Sequence, residues 1–302
     1  ETVGAGIDLA VFTGSSTHGR QLLAALAETL TPAIVELSGC DAVYVRADAD
    51  LDLASRAIAY AVALNSGRTC IAARRVFVEE SRHPMLLQGL VQALAETPPV
   101  TLDTATKALA EALIADATAK GARIATGGFT ADGSFRPCVL DNLPPEADLA
   151  RTDVFAPIVG IRAVASDDEA LAAGADCPYH LGASIFSRDE AAARAFALRL
   201  RAPTVTVNDV IAPTADPRLA FGGAGESGYG KTRGAEGLRA MTVSRYVSHR
   251  RGKHRPHLDD AQANNATLLG GLLRLLHAGT LRARLRALND LATAMRPPPA
   301  KK

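Results

Sequence analysis

Apolar residues recur along this chain with two periods, and the switches between them mark its elements. Ile7 to Phe12 alternate loosely as a strand, Thr13 to Ser16 break the run, and Leu22, Leu23 and Leu26 follow at helical spacing. Ala33 to Leu37 make a second short apolar strand, stopped by Ser38-Gly39. Strand, helix and strand joined this way form a βαβ unit, which requires parallel strands. A helix follows, capped by Asp48 or Asp50, with Leu51, Ala54, Ile58, Ala61 and Val62 on one face and Gly67 as its stop. A strand is expected over Arg75 to Glu79, then helices over 84–96 and 104–121. The alternation continues with strand 157–165, helix 167–175, strand 182–187, helix 189–201 and strand 204–208. Such alternation predicts an α/β layer structure.

Between Pro213 and Gly234 the pattern gives way to "PTADPRLAFGGAGESGYGKTRG", a long Gly- and Pro-rich loop of the kind that carries function. Helix and strand resume in "AEGLRAMTVSRYVSH". Beyond it lie a basic connector, "HRRGKHRPHLDD", a Leu/Arg amphipathic helix pair over 266–295, and "RPPPAKK", expected to be a disordered end.

Composition narrows the function classes. The chain has 302 residues, 48% hydrophobic and 22% charged, as a globular protein does. A formal net charge of +1 gives no electrostatic case for a nucleic acid or a membrane as partner, and the absence of Trp argues against a stacking surface for single strands. The four cysteines, at 40, 70, 138 and 177, form no CxxC pair. That spacing argues against structural zinc and a disulfide scaffold, and fits a reducing cytoplasm. No apolar run is long enough to span a bilayer, and "ETVGAGIDLAVFTG" is not a signal peptide; lacking an initiator Met, it reads as a start inside a domain.

Three places carry candidate chemistry. The turn from Thr13 to Thr17 opens a helix, so its N–H groups serve either an ordinary N-cap or a phosphate. Glu36 ends an apolar strand, where ligands bind in α/β sheets. It is either a solvated edge acid or, with its pKa raised by burial, a general base. Cys70, in "NSGRTCIAARRVFVEE", lies between a Gly-led turn and a strand. It is a reactive sulfur or a buried structural thiol. The other three cysteines lack a Gly-loop context and read as core or surface thiols.

"FTGSSTHGR", "VELSG", "NSGRTC", "TDVFAPIVG", "VND" and "LAFGGAGESGYGKTRGAEGL" occur in this order. Together they resemble the successive signatures of the NAD(P)-dependent aldehyde dehydrogenase family: F-T-G-S-x-x-x-G, E-L-G-G, G-Q-x-C, E-E-x-F-G-P, V-N and P-F-G-G-x-K-x-S-G-x-G. The match covers about residues 7 to 248, and the separation of 34 residues between Glu36 and Cys70 is the family's usual one.

The resemblance implies an aldehyde dehydrogenase-like α/β fold. Residues 1–38 would be the C-terminal part of a Rossmann-type cofactor domain and 39–232 the catalytic domain. A helix and oligomerisation strand would span 233–250, and a linker and helical tail 251–302. It implies oxidation of a small-molecule aldehyde to a carboxylic acid with NAD or NADP, in a homo-oligomer. Cys70 would be the nucleophile, passing from thiohemiacetal to thioester, with its backbone N–H holding the oxyanion; Glu36 would be the base. Gly14 and Ser15 would lie against the cofactor pyrophosphate and Leu37 would meet the nicotinamide amide through its backbone. Asp153 would bind the nicotinamide ribose with Phe155 packed beside it, and Phe221 would line the substrate tunnel.

Several positions depart from the pattern: Ser38, Arg68, Thr152, the shorter acid Asp153, Ala156, and Gly225-Glu226 in the last motif. The region before Asp132 lacks the family's G-P-L segment. Family members also carry roughly 200 residues ahead of the first motif, too many for one loop. They include a ribose-binding Lys, an oxyanion-hole Asn and one strand of the oligomerisation hairpin. Two further readings therefore stay open: a catalytically impaired scaffold or oligomer partner, and a cofactor-free thiol hydrolase.

Overall fold

A computed structural model of the protein describes residues 6–253, 255, 258 and 265–295. Contacts divide the chain once, into the units Glu1–Ser244 and Arg245–Lys302.

The first unit opens with β1 (Ala10–Thr13), α1 (Ser16–Ala27) and β2 (Ala33–Glu36). β1 and β2 pair in parallel, with Thr13 opposite Glu36, as a βαβ unit requires. The main sheet is built from β3 (Asp41–Val45), β4 (Ala73–Glu79), β5 (Arg123–Phe129), β6 (Phe135–Asp141), β7 (Ile158–Val164), β9 (Gly182–Phe186) and β10 (Thr204–Val207). Its order is β10-β9-β3-β4-β7-β6-β5, parallel throughout except for the antiparallel edge strand β5. Two short strands of the Gly-rich segment tie the loop down. β11 (Ala224–Gly225) pairs with β8 (Tyr179–His180), and β12 (Gly228–Tyr229) pairs antiparallel with β2.

Side-chain alternation distributes the core over both faces of the main sheet. Val43, Val45, Val76 and Val78 pack with Ala54, Ile58 and Val62 of α2 (Leu51–Ala63) and with Leu86 and Leu90 of α3 (His83–Leu94). The intervening residues Ala42, Tyr44 and Phe77 meet Ala170 of α5 (Asp167–Ala175) and Phe196 of α6 (Glu190–Ala197). A third cluster joins Ala110, Leu113 and Ala117 of α4 (Thr104–Ala119) to Phe135, Cys138 and Leu140.

The α/β class and most expected elements are present. Asp50 caps α2, accepting the Leu53 N–H, whereas Asp48 accepts from Ser187 and Asp189. Three strands of the main sheet had no expectation, nor had the short β8, β11 and β12. All of β3 is buried, so it lacks the alternation that marks a half-buried strand. β5 contains Gly127 and Gly128, and β6 contains Pro137, residues that weaken a strand signal. One expectation fails: α7 (Gly234–Ala240) forms, but the expected strand beyond it does not. Val243, Tyr246 and Val247 are exposed and unpaired in any ladder, and an extended segment becomes a strand only beside a partner.

In the second unit, α8 (Asn265–His277) and α9 (Leu281–Ala294) form a hairpin. Part of the basic connector 249–260 and all of the expected disordered end 296–302 lie outside the described residues.

Leu90 has no exposed surface. Leu90→Ala should cost about 2–5 kcal/mol of unfolding free energy, read from the urea midpoint. Leu109→Ala, on the exposed side of α4, should cost less than about 1 kcal/mol.

Candidate active site

Three left-handed residues in a row deliver Cys70. α2 ends at Ala63, and Asn65, Ser66 and Gly67 follow with φ of 52°, 59° and 77°. Positive φ is unfavourable for Asn and more so for Ser, and such strain persists only where the surroundings hold it. Here they do. The Asn65 side chain donates to Arg68 O at 3.0 Å, and Arg68 donates to Thr101 O at 3.0 Å. Gly67 has no alternative residue: a Cβ there would stand 2.3 Å from Pro157 N and 2.4 Å from Ala156 C.

Glu36 arrives from the other side, at the end of β2. The next residues cross directly over Cys70, where a Cβ on Gly39 would lie 2.1 Å from the Cys70 carbonyl oxygen. This close approach brings the two candidate residues together: the Cys70 thiol donates to Glu36 Oε1 at 3.9 Å. The Gly-rich loop clamps the same strand. Leu37 N–H donates to Ser227 O at 3.1 Å, and the buried Ser227 hydroxyl donates to Ser38 O at 2.7 Å and accepts His180 N–H at 3.0 Å.

Both groups are half-buried, and this sets their protonation. Burial raises the Glu36 carboxyl above its ordinary value, against the pull of Arg233 and the Cys70 hydrogen bond. Burial also pushes the Cys70 thiol up to about 12, with Glu36, Asp41 and Asp153 adding to it. Its own N–H partly opposes the rise, so that donor stands beside the sulfur. The arrangement is a protonated thiol facing a basic carboxylate, which suits activation by proton transfer rather than a standing thiolate.

The remaining expected residues fall as follows. Gly14 N–H donates to Glu36 O at 3.1 Å. The Ser15 hydroxyl caps α1, accepting His18 N–H at 3.3 Å and meeting His18 Nδ1 at 2.8 Å; the N-cap reading describes this side chain. Phe155 is exposed and Phe221 buried, with the Arg233 guanidinium over its ring at 4.6 Å. Glu226, at one of the departures in the last motif, forms an ion pair with Arg20 of α1. Cys40, Cys138 and Cys177 are all buried.

Asp153 faces inward. Its carboxylate is 3.8 Å from Nε of Arg74, a guanidinium with no exposed surface. Arg74 donates to Gly67 O and Ala156 O, both at 2.7 Å, binding the Cys70 turn to the Phe155-Ala156-Pro157 segment. Burial raises Asp153 to about 6, only partly offset by Arg74, the Ser38 hydroxyl and the Gly39 N–H. Arg74 was missed in the sequence, where the two adjacent arginines opening a strand of otherwise apolar residues were its available signal. Asp41 was missed too. It is buried beside Gly39, accepts Gly182 N–H at 3.0 Å, and is raised to about 7 by burial.

The fold is an α/β sheet in which a cysteine thiol and a carboxylate converge at a strand end. Residues 3–247 match the aldehyde dehydrogenase family model, and the chain belongs to that family. It is similar to 4,4'-diapolycopene aldehyde oxidase of Methylomonas sp, 33% identical over 248 residues, 79% of this chain and 47% of that protein. It is similar to vanillin dehydrogenase of Pseudomonas fluorescens, 31% identical over 81% of this chain and 53% of that protein. Among solved structures, betaine aldehyde dehydrogenase of Staphylococcus aureus in complex with NAD+ superposes with a TM-score of 0.74 at 27% identity, over 80% of this chain and 51% of that one. The chain thus spans about half the length of the relatives it matches.

Two outcomes are expected. Burial pushes the Cys70 thiol up to about 12, so at pH 8 Cys70 should alkylate with iodoacetamide more slowly than free cysteine, and the rate should climb as pH is raised through about 10, as peptide mapping would read. Asp41 is raised in the folded state, so its protonated form is favoured there and stability should fall as pH rises from about 4 to about 7. Asp41→Asn should flatten that fall in urea midpoints measured at pH 5 and pH 7.5.

Proposed function

We propose that this chain carries the nucleophile and base of an NAD(P)-dependent aldehyde dehydrogenase, which oxidises an aldehyde to a carboxylic acid. The observation that carries the proposal is the Cys70 Sγ to Glu36 Oε1 contact of 3.9 Å, made by residues 34 apart in sequence. Family membership supports the reaction class.

In this reading Glu36 accepts the Cys70 proton as the sulfur adds to the aldehyde carbon, giving a thiohemiacetal. The Cys70 N–H, already beside the sulfur, donates to the new oxyanion. NAD(P)+, when bound, would supply the hydride acceptor for oxidation of this adduct to a thioester. Glu36 gives its first proton to solvent and then takes one from water as the water adds to the thioester carbon; collapse expels the Cys70 sulfur, which recovers a proton from Glu36, and the acid leaves. The raised pKa of Glu36 makes it a stronger base for both proton transfers.

The residues present fit the cofactor in part. α1 opens at Gly14-Ser15, and its first-turn N–H groups suit a pyrophosphate. In this reading Leu37, whose N–H donates to Ser227 O, offers its carbonyl to the nicotinamide amide. Asp153 does not fit the ribose role, because its carboxylate is turned onto Arg74. Phe221 suits the apolar wall of a substrate tunnel, and we assign the whole protein to a homo-oligomer on family grounds.

The test is aldehyde-dependent NAD(P)H formation, followed by absorbance, together with mass mapping of the aldehyde adduct. An adduct on Cys70 is expected. Cys70→Ala should abolish turnover, and Glu36→Gln should lower kcat by ~10² to 10⁴. Turnover undiminished in Cys70→Ala would defeat the proposal. Hydrolysis of an activated ester without NAD(P)H formation would favour the thiol hydrolase instead.

A further inference from the structure

The formal charge of +1 conceals a division. Residues 245–302 hold 12 Lys and Arg against 3 Asp, whereas residues 1–244 hold 21 against 29 Asp and Glu. The basic unit also lies almost wholly past the family match, which ends at residue 247.

The hairpin exposes leucine as well as charge. α8 and α9 pack through Gly271 and Ala287, both buried; a Cβ on Gly271 would stand 2.9 Å from Leu291 Cγ. Leu269, Leu272, Leu273 and Leu276 repeat at i, i+3, i+4 and i+7, away from that seam. Leu281, Leu285 and Leu288 repeat likewise on α9. These seven are 46% to 75% exposed. At about 100° per residue, each stripe lies offset from its own packing seam in the same sense, and on antiparallel helices equal offsets put both stripes on one side. Asp290 pairs with Arg274 at 3.0 Å, leaving Arg282, Arg284 and Arg286 without an acidic partner among the described residues.

We propose that the α8–α9 hairpin docks on an anionic lipid surface, with its leucine face in the headgroup boundary and its arginines on lipid phosphates. Exposed leucine stripes on both helices, beside arginines without an acidic partner among the described residues, match that environment, which is apolar below and negative at its edge. A second copy of the hairpin would bring an equal excess of positive charge against the first, which disfavours self-pairing through this face. A polyanion alone would use the arginines and leave the leucines in water. The docking is peripheral: no helix among the described residues is long and apolar enough to cross a membrane.

The test is cosedimentation of the full chain with vesicles of phosphatidylcholine alone or mixed with phosphatidylglycerol. Binding is expected only to the mixed vesicles, and should weaken as salt is raised. Arg282→Gln with Arg286→Gln should weaken it on the order of 30-fold. Leu272→Ser with Leu276→Ser should weaken it by at least about tenfold, with far-UV circular dichroism confirming that helix content is kept. If the leucine pair loses helicity, the arginine pair and the lipid dependence decide. Equal binding to both vesicle types, or none to either, overturns the proposal. So does unchanged vesicle binding in the leucine pair with helices intact, which would assign the face to generic polyanions such as nucleic acid. A change of oligomeric mass in lipid-free solution without vesicle binding would assign it to a subunit contact instead.

Discussion

The chain after Glu36 lies on the backbone of Cys70 with no room for a side chain between them. A Cβ on Gly39 would sit 2.1 Å from the Cys70 carbonyl oxygen, so the crossing exists only because position 39 lacks one. Everything proposed for the site depends on that approach. It fixes the carboxylate 3.9 Å from the sulfur and shields both groups from water. The shielding raises the Glu36 carboxyl and pushes the Cys70 thiol up to about 12, which in the proposed reaction keeps the proton on sulfur until the carboxylate takes it. Gly228 repeats the device on the outer side, where a Cβ would stand 2.0 Å from Val35 O. β2 is therefore held from two directions by loops distant in sequence.

Arg74 is the counterpart inside the protein. A guanidinium without exposed surface is costly unless its donors are used, and two of them bind the carbonyls of Gly67 and Ala156. It thereby ties the strained turn before Cys70 to the segment that follows Asp153. The same cation explains where Asp153 points. Burial leaves the carboxylate raised to about 6 even beside Arg74, so this is an expensive contact. It stands where the family pattern has a longer acid. The departures at Ser38, Asp153 and Ala156 are thus neighbours in space, gathered around one buried arginine, and not scattered losses.

How much was legible follows from the kind of signal. Helices with a one-sided apolar face were read within a few residues, as α2 and α4 show, because periodicity is local. β3 was not read, because all five of its residues are buried and none alternates. The strand expected at the end of "AEGLRAMTVSRYVSH" did not form, since a β signal states a readiness to pair and not the presence of a partner. Whole-chain charge carries no such local information: it averages an acidic unit and a basic one into a near-neutral figure.

Six ordered motifs in the linear sequence determined the family, the reaction class it implies, and Glu36 and Cys70 as the pair to examine. These are statements about residue identity and spacing along the polymer, which the polymer carries by itself. The tertiary structure alone decided that Asp153 turns onto Arg74, that the Ser15 hydroxyl caps a helix, and that burial pushes the Cys70 thiol up. Each of those depends on how much water reaches a group and which distant groups surround it. Neither quantity exists until the chain has closed on itself.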